Sequence, residues 1–249
     1  MPAWPLGPLE TAWCAAALFA GYAVRGAAGF GSGVVATPLM AFVLPLSTVA
    51  PLVTFLGMFV SIRQAVRDWP LIAWKRLAEF VPGIVLGVPL GIWVFREVHP
   101  EVLIRALGLY VVGYALYSLF GSTRGAGSSR LPRWTALPIG TLGAIVATVF
   151  GGMAGPVYVT YLDGLRLPMR AFRVTASTTL LTLSIVRSAA YLAGGIFRPE
   201  DFPLVLGAAV PVALGTLAGE WVHDRIGPET FRRLVGGLLV FSGAALLLR

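Results

Sequence analysis

Apolar residues run in eight long blocks, and the short stretches between them collect nearly all of the charge. The first block, from about Trp13 to Leu44, holds about thirty mostly apolar residues, more than the roughly 20 that cross a bilayer as one helix. Gly29, Gly31 and Gly33 fall in its middle, where glycine weakens a helix. The pattern predicts a helix broken inside the membrane. In lipid a break persists only where the freed N–H and C=O groups face protein or a water-filled cavity, so this segment is expected to line a site or a pathway. Blocks at Thr48 to Ile62, Leu77 to Phe95 and Leu103 to Phe120 follow. A connector rich in Gly, Ser and Arg, Gly121 to Arg133, reads as a flexible linker. Leu137 to Tyr161, Val174 to Phe197, Leu204 to Val222 and Leu234 to Leu248 make a second set of four.

The two sets resemble each other. Gly87-Val-Pro-Leu-Gly-Ile-Trp93-Val matches Gly215-Thr-Leu-Ala-Gly-Glu-Trp221-Val, and at the same offset Pro100-Glu101, Arg105 and Gly108 meet Pro228-Glu229, Arg233 and Gly236. At a slightly smaller offset Gly29 and Gly33 meet Gly151 and Gly155, which makes Phe150-Gly-Gly-Met-Ala-Gly-Pro156 a second break. The expected fold is therefore all-α and polytopic: two pseudo-symmetric four-element repeats, residues 10–120 and 134–249, joined by the linker 121–133 in a single membrane domain spanning 1–249. Each repeat has a broken first helix. The rows Gly83-x-x-x-Gly87-x-x-x-Gly91 and Gly215-x-x-x-Gly219 mark faces for close helix contact, and Trp93 and Trp221 stand where interfacial anchors belong.

Composition supports the same class: 57% of the 249 residues are hydrophobic and 12% charged, with a mean hydropathy of +0.82. No stretch is long or polar enough for a separate soluble domain. The net charge of +8 is confined to the ends of apolar blocks, so it speaks for orientation rather than nucleic-acid binding. No basic region precedes the first block, and no cleaved signal peptide is expected. The lone Cys14 reads as packing. If the two broken elements enter and leave on one face, thirteen basic residues share one side: Arg63, Arg67, Lys75, Arg76, Arg124, Arg130, Arg133, Arg166, Arg170, Arg173, Arg225, Arg232 and Arg233. Arg96, Arg105, Arg198 and Arg249 lie opposite. That asymmetry is expected of cytoplasmic loops and favours inverted repeats with both termini outside.

Arg25 and Arg187 are left over, each with apolar sequence on both sides. An arginine deep in a bilayer costs about 2.5–3.5 kcal/mol on insertion scales, so it faces a cavity, a counter-charge or a ligand. Few carboxylates are available: Glu79 and Glu220 lie near block ends, and Asp163 follows the second break. Ser177, Ser184 and Ser188 share one helix face beside Arg187. Guanidinium forks, hydroxyls and exposed N–H groups at half-helix ends together suit an oxyanion. The expected site comprises Arg25, Gly29, Phe30, Gly31, Ser32, Gly33, Gly151, Gly152, Gly155, Ser177, Ser184, Arg187 and Ser188. His99 and His223 lie in or near loops, and no hydrolase, metalloprotease or thiol-redox pattern is present, so neither an enzyme nor a resident metal or cofactor is expected. No acid or histidine stands clearly mid-membrane as a proton relay, so an anion crossing here is expected to need no coupling ion beyond the membrane potential.

The whole chain resembles the sulfite exporter TauE/SafE family, on Gly29-Phe-Gly-Ser-Gly-Val-Val-Ala-Thr-Pro38, its second copy Gly151-Gly-Met-Ala-Gly-Pro156, the four-element halves and the Gly-x-x-x-Gly before a short Pro-Glu loop. The second copy departs from the first in having Met153-Ala154 where the first has Gly31-Ser32. The resemblance implies transport of sulfite or a small organosulfur anion across the bacterial inner membrane. The expected partners are that anion and the lipid bilayer, with homo-oligomerisation left open. The alternative is a non-transporting scaffold or assembly partner whose buried arginines pair structurally.

Overall fold

Proline at the first helical position and Glu10 reaching back to the Gly7 N–H (2.9 Å) start the first helix, α1 (Pro8–Ala28), at the edge of the apolar block. It stops at Gly29 and resumes as α2 (Ser32–Met40). The remaining helices are α3 (Leu46–Arg67), α4 (Trp74–Glu97), α5 (Pro100–Phe120), α6 (Ala136–Phe150), α7 (Gly155–Asp163), α8 (Met169–Ala193), α9 (Phe202–His223) and α10 (Pro228–Leu247). This computed structural model describes residues 6–120, 132–163, 167–223 and 228–247, so most of the expected linker lies outside the described residues. Among the described residues all regular structure is helical.

Five helical stretches are long and apolar enough to cross a membrane: Leu46–Arg67, Trp74–Glu97, Pro100–Tyr117, Arg133–Phe150 and Pro199–Trp221. Their surroundings differ. In α3 61% of the apolar window is buried inside the protein, against 28% in α5, which places α3 at the centre and α5 toward lipid. The outward faces of α4, α5 and α9 carry exposed Leu86, Leu90, Leu109, Leu206, Val210 and Leu214, an apolar surface suited to acyl chains. Trp93 and Trp221 are also exposed.

α8 has the length of a span but carries Arg170, Arg173, Arg187 and a run of Ser and Thr. It can afford them because α3, α4 and α7 pack around it. The hydroxyls of Thr178, Thr179 and Thr182 donate to carbonyls four residues back at 2.8–3.0 Å, which satisfies them within the helix. The helix begins five residues before the apolar block expected at Val174, so Arg170 and Arg173 are helical rather than loop residues.

The small-residue rows set the packing. A Cβ on Gly87 would lie 2.4 Å from the Thr141 carbonyl oxygen, and one on Gly83 2.7 Å from that of Leu137, so α4 lies backbone to backbone along α6. In the same way Gly215 and Gly219 of α9 lie against the Phe19 and Ala23 carbonyls of α1. Each broken segment thus packs along a long helix from the other half of the sequence. α3 packs on α8, and α5 on α10.

Candidate functional site

Both breaks turn on glycines with positive φ. Gly29 (φ 85°) closes α1 with its N–H on the Arg25 carbonyl (2.6 Å), and Gly31 (φ 96°) opens α2. Gly151 (φ 68°) and Gly152 (φ 91°) close α6, with the Gly152 N–H on the Ala147 carbonyl at 3.1 Å. A Cβ at these positions would force a left-handed backbone that costs a non-glycine residue about 1–2 kcal/mol. Gly33 and Gly155 differ from them, since both already lie in helix. A Cβ on Gly33 would sit 2.5 Å from the Gly151 oxygen and 2.9 Å from the Gly152 carbonyl carbon, and one on Gly155 would sit 3.1 Å from Phe30 Cδ2. These two glycines therefore let the breaks cross in contact. The Thr37 hydroxyl donates to the Gly151 oxygen at 3.1 Å and ties them together.

Arg25 of α1 and Arg187 of α8 both reach the crossing and are 5% and 1% exposed. Arg25 donates to the Ser32 hydroxyl at 3.4 Å and to that of Ser61. Arg187 donates to the Thr54 hydroxyl and to Tyr191 Oη (3.2 Å), whose own O–H donates to the Thr148 carbonyl in the last turn of α6. The guanidinium carbon of Arg187 stands 5.6 Å from the Tyr191 ring centre. Among the described residues no carboxylate lies within 4.0 Å of either guanidinium, and the Nε–H of each has no partner. Two buried cations are thus held by hydroxyls, which compensate dipoles but not charge.

Between them is a cavity of about 20 Å³ lined by Arg25, Gly31, Ser32, Val53, Thr54, Gly57, Gly152, Leu180, Leu183, Ser184 and Arg187. Six of the thirteen residues expected from sequence meet here: Arg25, Gly31, Ser32, Gly152, Ser184 and Arg187. Gly33, Gly151, Gly155 and Phe30 form the crossing behind it. Gly29 lines a second, larger cavity. Ser177 and Ser188 are buried with hydroxyls that have no partner among the described residues, but they do not line the cavity.

One wall escaped the sequence reading. Thr54, Gly57 and Ser61 of α3 meet the two arginines, and a Cβ on Gly57 would stand 3.3 Å from an Arg25 nitrogen. Their spacing of three and four residues puts them on one face of an apolar helix, which is the signal that could have found them. Arg173 was also missed. It donates to the Gly26 carbonyl (3.3 Å) near the C-terminal end of α1. The two carboxylates nearest the apolar blocks both stand outside the inner cavity. Glu79 is held by Arg76 (2.9 Å), Arg133 (3.7 Å) and the Tyr161 hydroxyl (2.9 Å), while Glu220 stands 3.6 Å from Arg63.

A cavity between crossed helix breaks, walled by apolar side chains and charged by two arginines, is the arrangement of a membrane transporter. Comparison with known proteins agrees. A probable inner membrane transporter protein TsaS of Comamonas testosteroni is 25% identical over 197 residues, covering 78% of this chain and 81% of that relative. No solved structure matches the chain. The family model for the sulfite exporter TauE/SafE matches residues 13–246, so this multi-pass inner-membrane protein belongs to the TauE/SafE family of transporters.

Proposed function

We propose that the chain exports a small oxyanion, sulfite or an organosulfonate, through the cavity at the crossing of the two breaks. The observation that carries this is the pair of buried guanidiniums without a carboxylate among the described residues. An oxyanion supplies the missing charge and enough lone pairs for both forks. The N–H groups at the start of α2, beside Gly31 and Ser32, add the positive end of a half-helix. The open volume of about 20 Å³ has room for about one water, so a larger anion needs the walls to part. The pairing of α1 with α9 and of α6 with α4 supplies two similar bodies that could rock against each other. This exchange of partners is what inverted repeats would produce, and it supports that reading of the sequence.

Export needs no coupling ion in this scheme. A monoanion leaving a cell with an inside-negative potential gains about 2.3 kcal/mol per 100 mV, roughly a fiftyfold gradient, and a dianion twice that. In proteoliposomes clamped with potassium and valinomycin, sulfite efflux should rise with inside-negative potential at zero pH gradient. Efflux that ignores the potential and follows an imposed proton or sodium gradient would sink the uniport mechanism and turn attention to Glu79 and Glu220.

The proposed orientation puts Arg63, Arg67 and Arg173 on the cytoplasmic side, and the larger cavity gathers all three around one opening. In a Cys14→Ser background, Ser128→Cys in the connector outside the described residues should resist an impermeant thiol reagent added to intact cells. Labelling from outside would reverse the orientation.

A further inference from the structure

The cavity beside Gly29 has a volume of about 220 Å³, and Arg25, Arg63, Arg67, Arg173, Gln64 and Glu220 supply its charge and most of its polarity. Among the described residues four guanidiniums face a single carboxylate. Arg25 also lines the inner cavity, so it is the partition between the two spaces. We infer that this vestibule is a separate capture site for the oxyanion, occupied before the anion passes Arg25, and that Glu220 is the internal anion displaced on arrival. The inference rests on the anion-transport reading above and adds a second binding step to it.

The construction of the vestibule carries the assignment. Arg173 crosses from α8 to the Gly26 carbonyl and is held there, while its buried Nε–H has no partner among the described residues. Arg63 and Arg67 stand one helical turn apart on α3, on the side of the opening. Arg63 pairs with Glu220 at 3.6 Å, with side chains 58% and 40% exposed. An exposed pair of that length contributes little to stability, so an incoming oxyanion can take over Arg63 at small cost. Among the described residues Arg67 pairs only with its sequence neighbour Asp68, at 3.3 Å. A cleft lined by one sign of charge between low-dielectric walls raises the local concentration of the opposite ion, and the effect falls as salt screens it. The inner cavity, by contrast, holds its two arginines buried and is screened far less.

The two steps separate kinetically. Sulfite transport is measured from the cytoplasmic face in proteoliposomes of uncharged lipid, with potassium gluconate varied from about 10 mM to 1 M, over which the Debye length falls from about 30 to 3 Å. For the wild type, KM is expected to rise about tenfold across this range at nearly constant kcat. Arg67→Gln should raise KM three- to tenfold at low salt and flatten its salt dependence, and Arg67→Lys should restore most of both, because capture uses charge more than the fork. Glu220→Gln should lower KM about threefold. Both positions are partly or fully exposed, so these variants are expected to fold, and a thermal melt confirms that they have. If Arg67→Gln and Glu220→Gln keep the wild-type KM and salt slope, the vestibule is only a lining and the inference fails, although transport through the inner cavity stands. An effect of Arg67→Gln seen only when anionic lipid is added overturns it in favour of a lipid-phosphate contact. The anion-transport reading itself fails separately, if the wild-type protein moves neither sulfite nor an organosulfonate at any of these salt concentrations.

Discussion

Arg187→Gln is expected to reduce sulfite transport by about a hundredfold or more while leaving the melting temperature of the purified protein unchanged or higher. Each hydrogen bond from a charged donor contributes about 1.5–3 kcal/mol, roughly ten- to hundredfold in rate or affinity, and the guanidinium can offer two to an oxyanion. Stability should move the other way. Arg187 is 1% exposed, and its Thr54 and Tyr191 partners are neutral. Removing a cation with no carboxylate partner among the described residues relieves a desolvation cost, whereas removing one member of a true ion pair strands the other and destabilises by about 3–5 kcal/mol. The Tyr191 hydroxyl keeps its bond to the Thr148 carbonyl in either case. Arg187→Lys keeps the charge without the fork and should fall between, about tenfold down. A variant that melts well below the wild type would show that Arg187 is a structural brace between α8 and α3. Unchanged apparent affinity in a well-folded variant would remove it from the site altogether.

The breaks and the two arginines were legible because each violates what a bilayer favours. Glycines cluster at Gly29 to Gly33 where helix is expected, and Arg25 and Arg187 carry charge where none is tolerated without a reason. What sequence could not separate is why each glycine is there. Gly29, Gly31, Gly151 and Gly152 supply positive φ, while Gly33 and Gly155 supply space, and both needs look alike in one letter. The α3 wall was hidden for a related reason. Thr54 and Ser61 are ordinary in an apolar helix, and Thr54 also satisfies itself on the Ala50 carbonyl at 2.7 Å. Their role appears only when α8 and α1 are laid against them. Arg173 was hidden by a boundary: placing the start of α8 at Val174 left it among the loop charges. The glycine rows on α4 and α9 announced close packing, but which helix each would meet depends on the exchange between halves, and local pattern carries no record of a partner.

The crossing of the breaks makes Gly33→Ala a substitution expected to abolish transport with one added carbon. Its Cβ would lie 2.5 Å from the Gly151 oxygen and 3.0 Å from that of Gly152, and these are backbone atoms with no flexible side chain to yield. Gly151 cannot retreat, because the position of its own missing Cβ is 2.8 Å from Ala50 Cα on α3. The two breaks must therefore separate, stretching the Thr37 to Gly151 hydrogen bond and moving Gly31 and Ser32 away from Gly152 across the cavity. Overpacking of this kind costs about 1–3 kcal/mol, and misplacing positioned binding groups by about 1 Å can cost a further hundredfold in rate. The expected result is loss of transport to background with a lowered melting temperature. Two comparisons isolate the cause. Gly31→Ala has open space, its nearest neighbour being Val24 Cγ1 at 3.7 Å, but it strains a backbone at φ 96°, so it should destabilise by about 1–2 kcal/mol while still transporting. Gly113→Ala, on α5 with no atom of the described residues within 4 Å of the added carbon, should raise stability by up to about 1 kcal/mol through helix propensity and leave transport alone. If Gly33→Ala transports as well as Gly113→Ala does, the contact between the breaks is not what shapes the site.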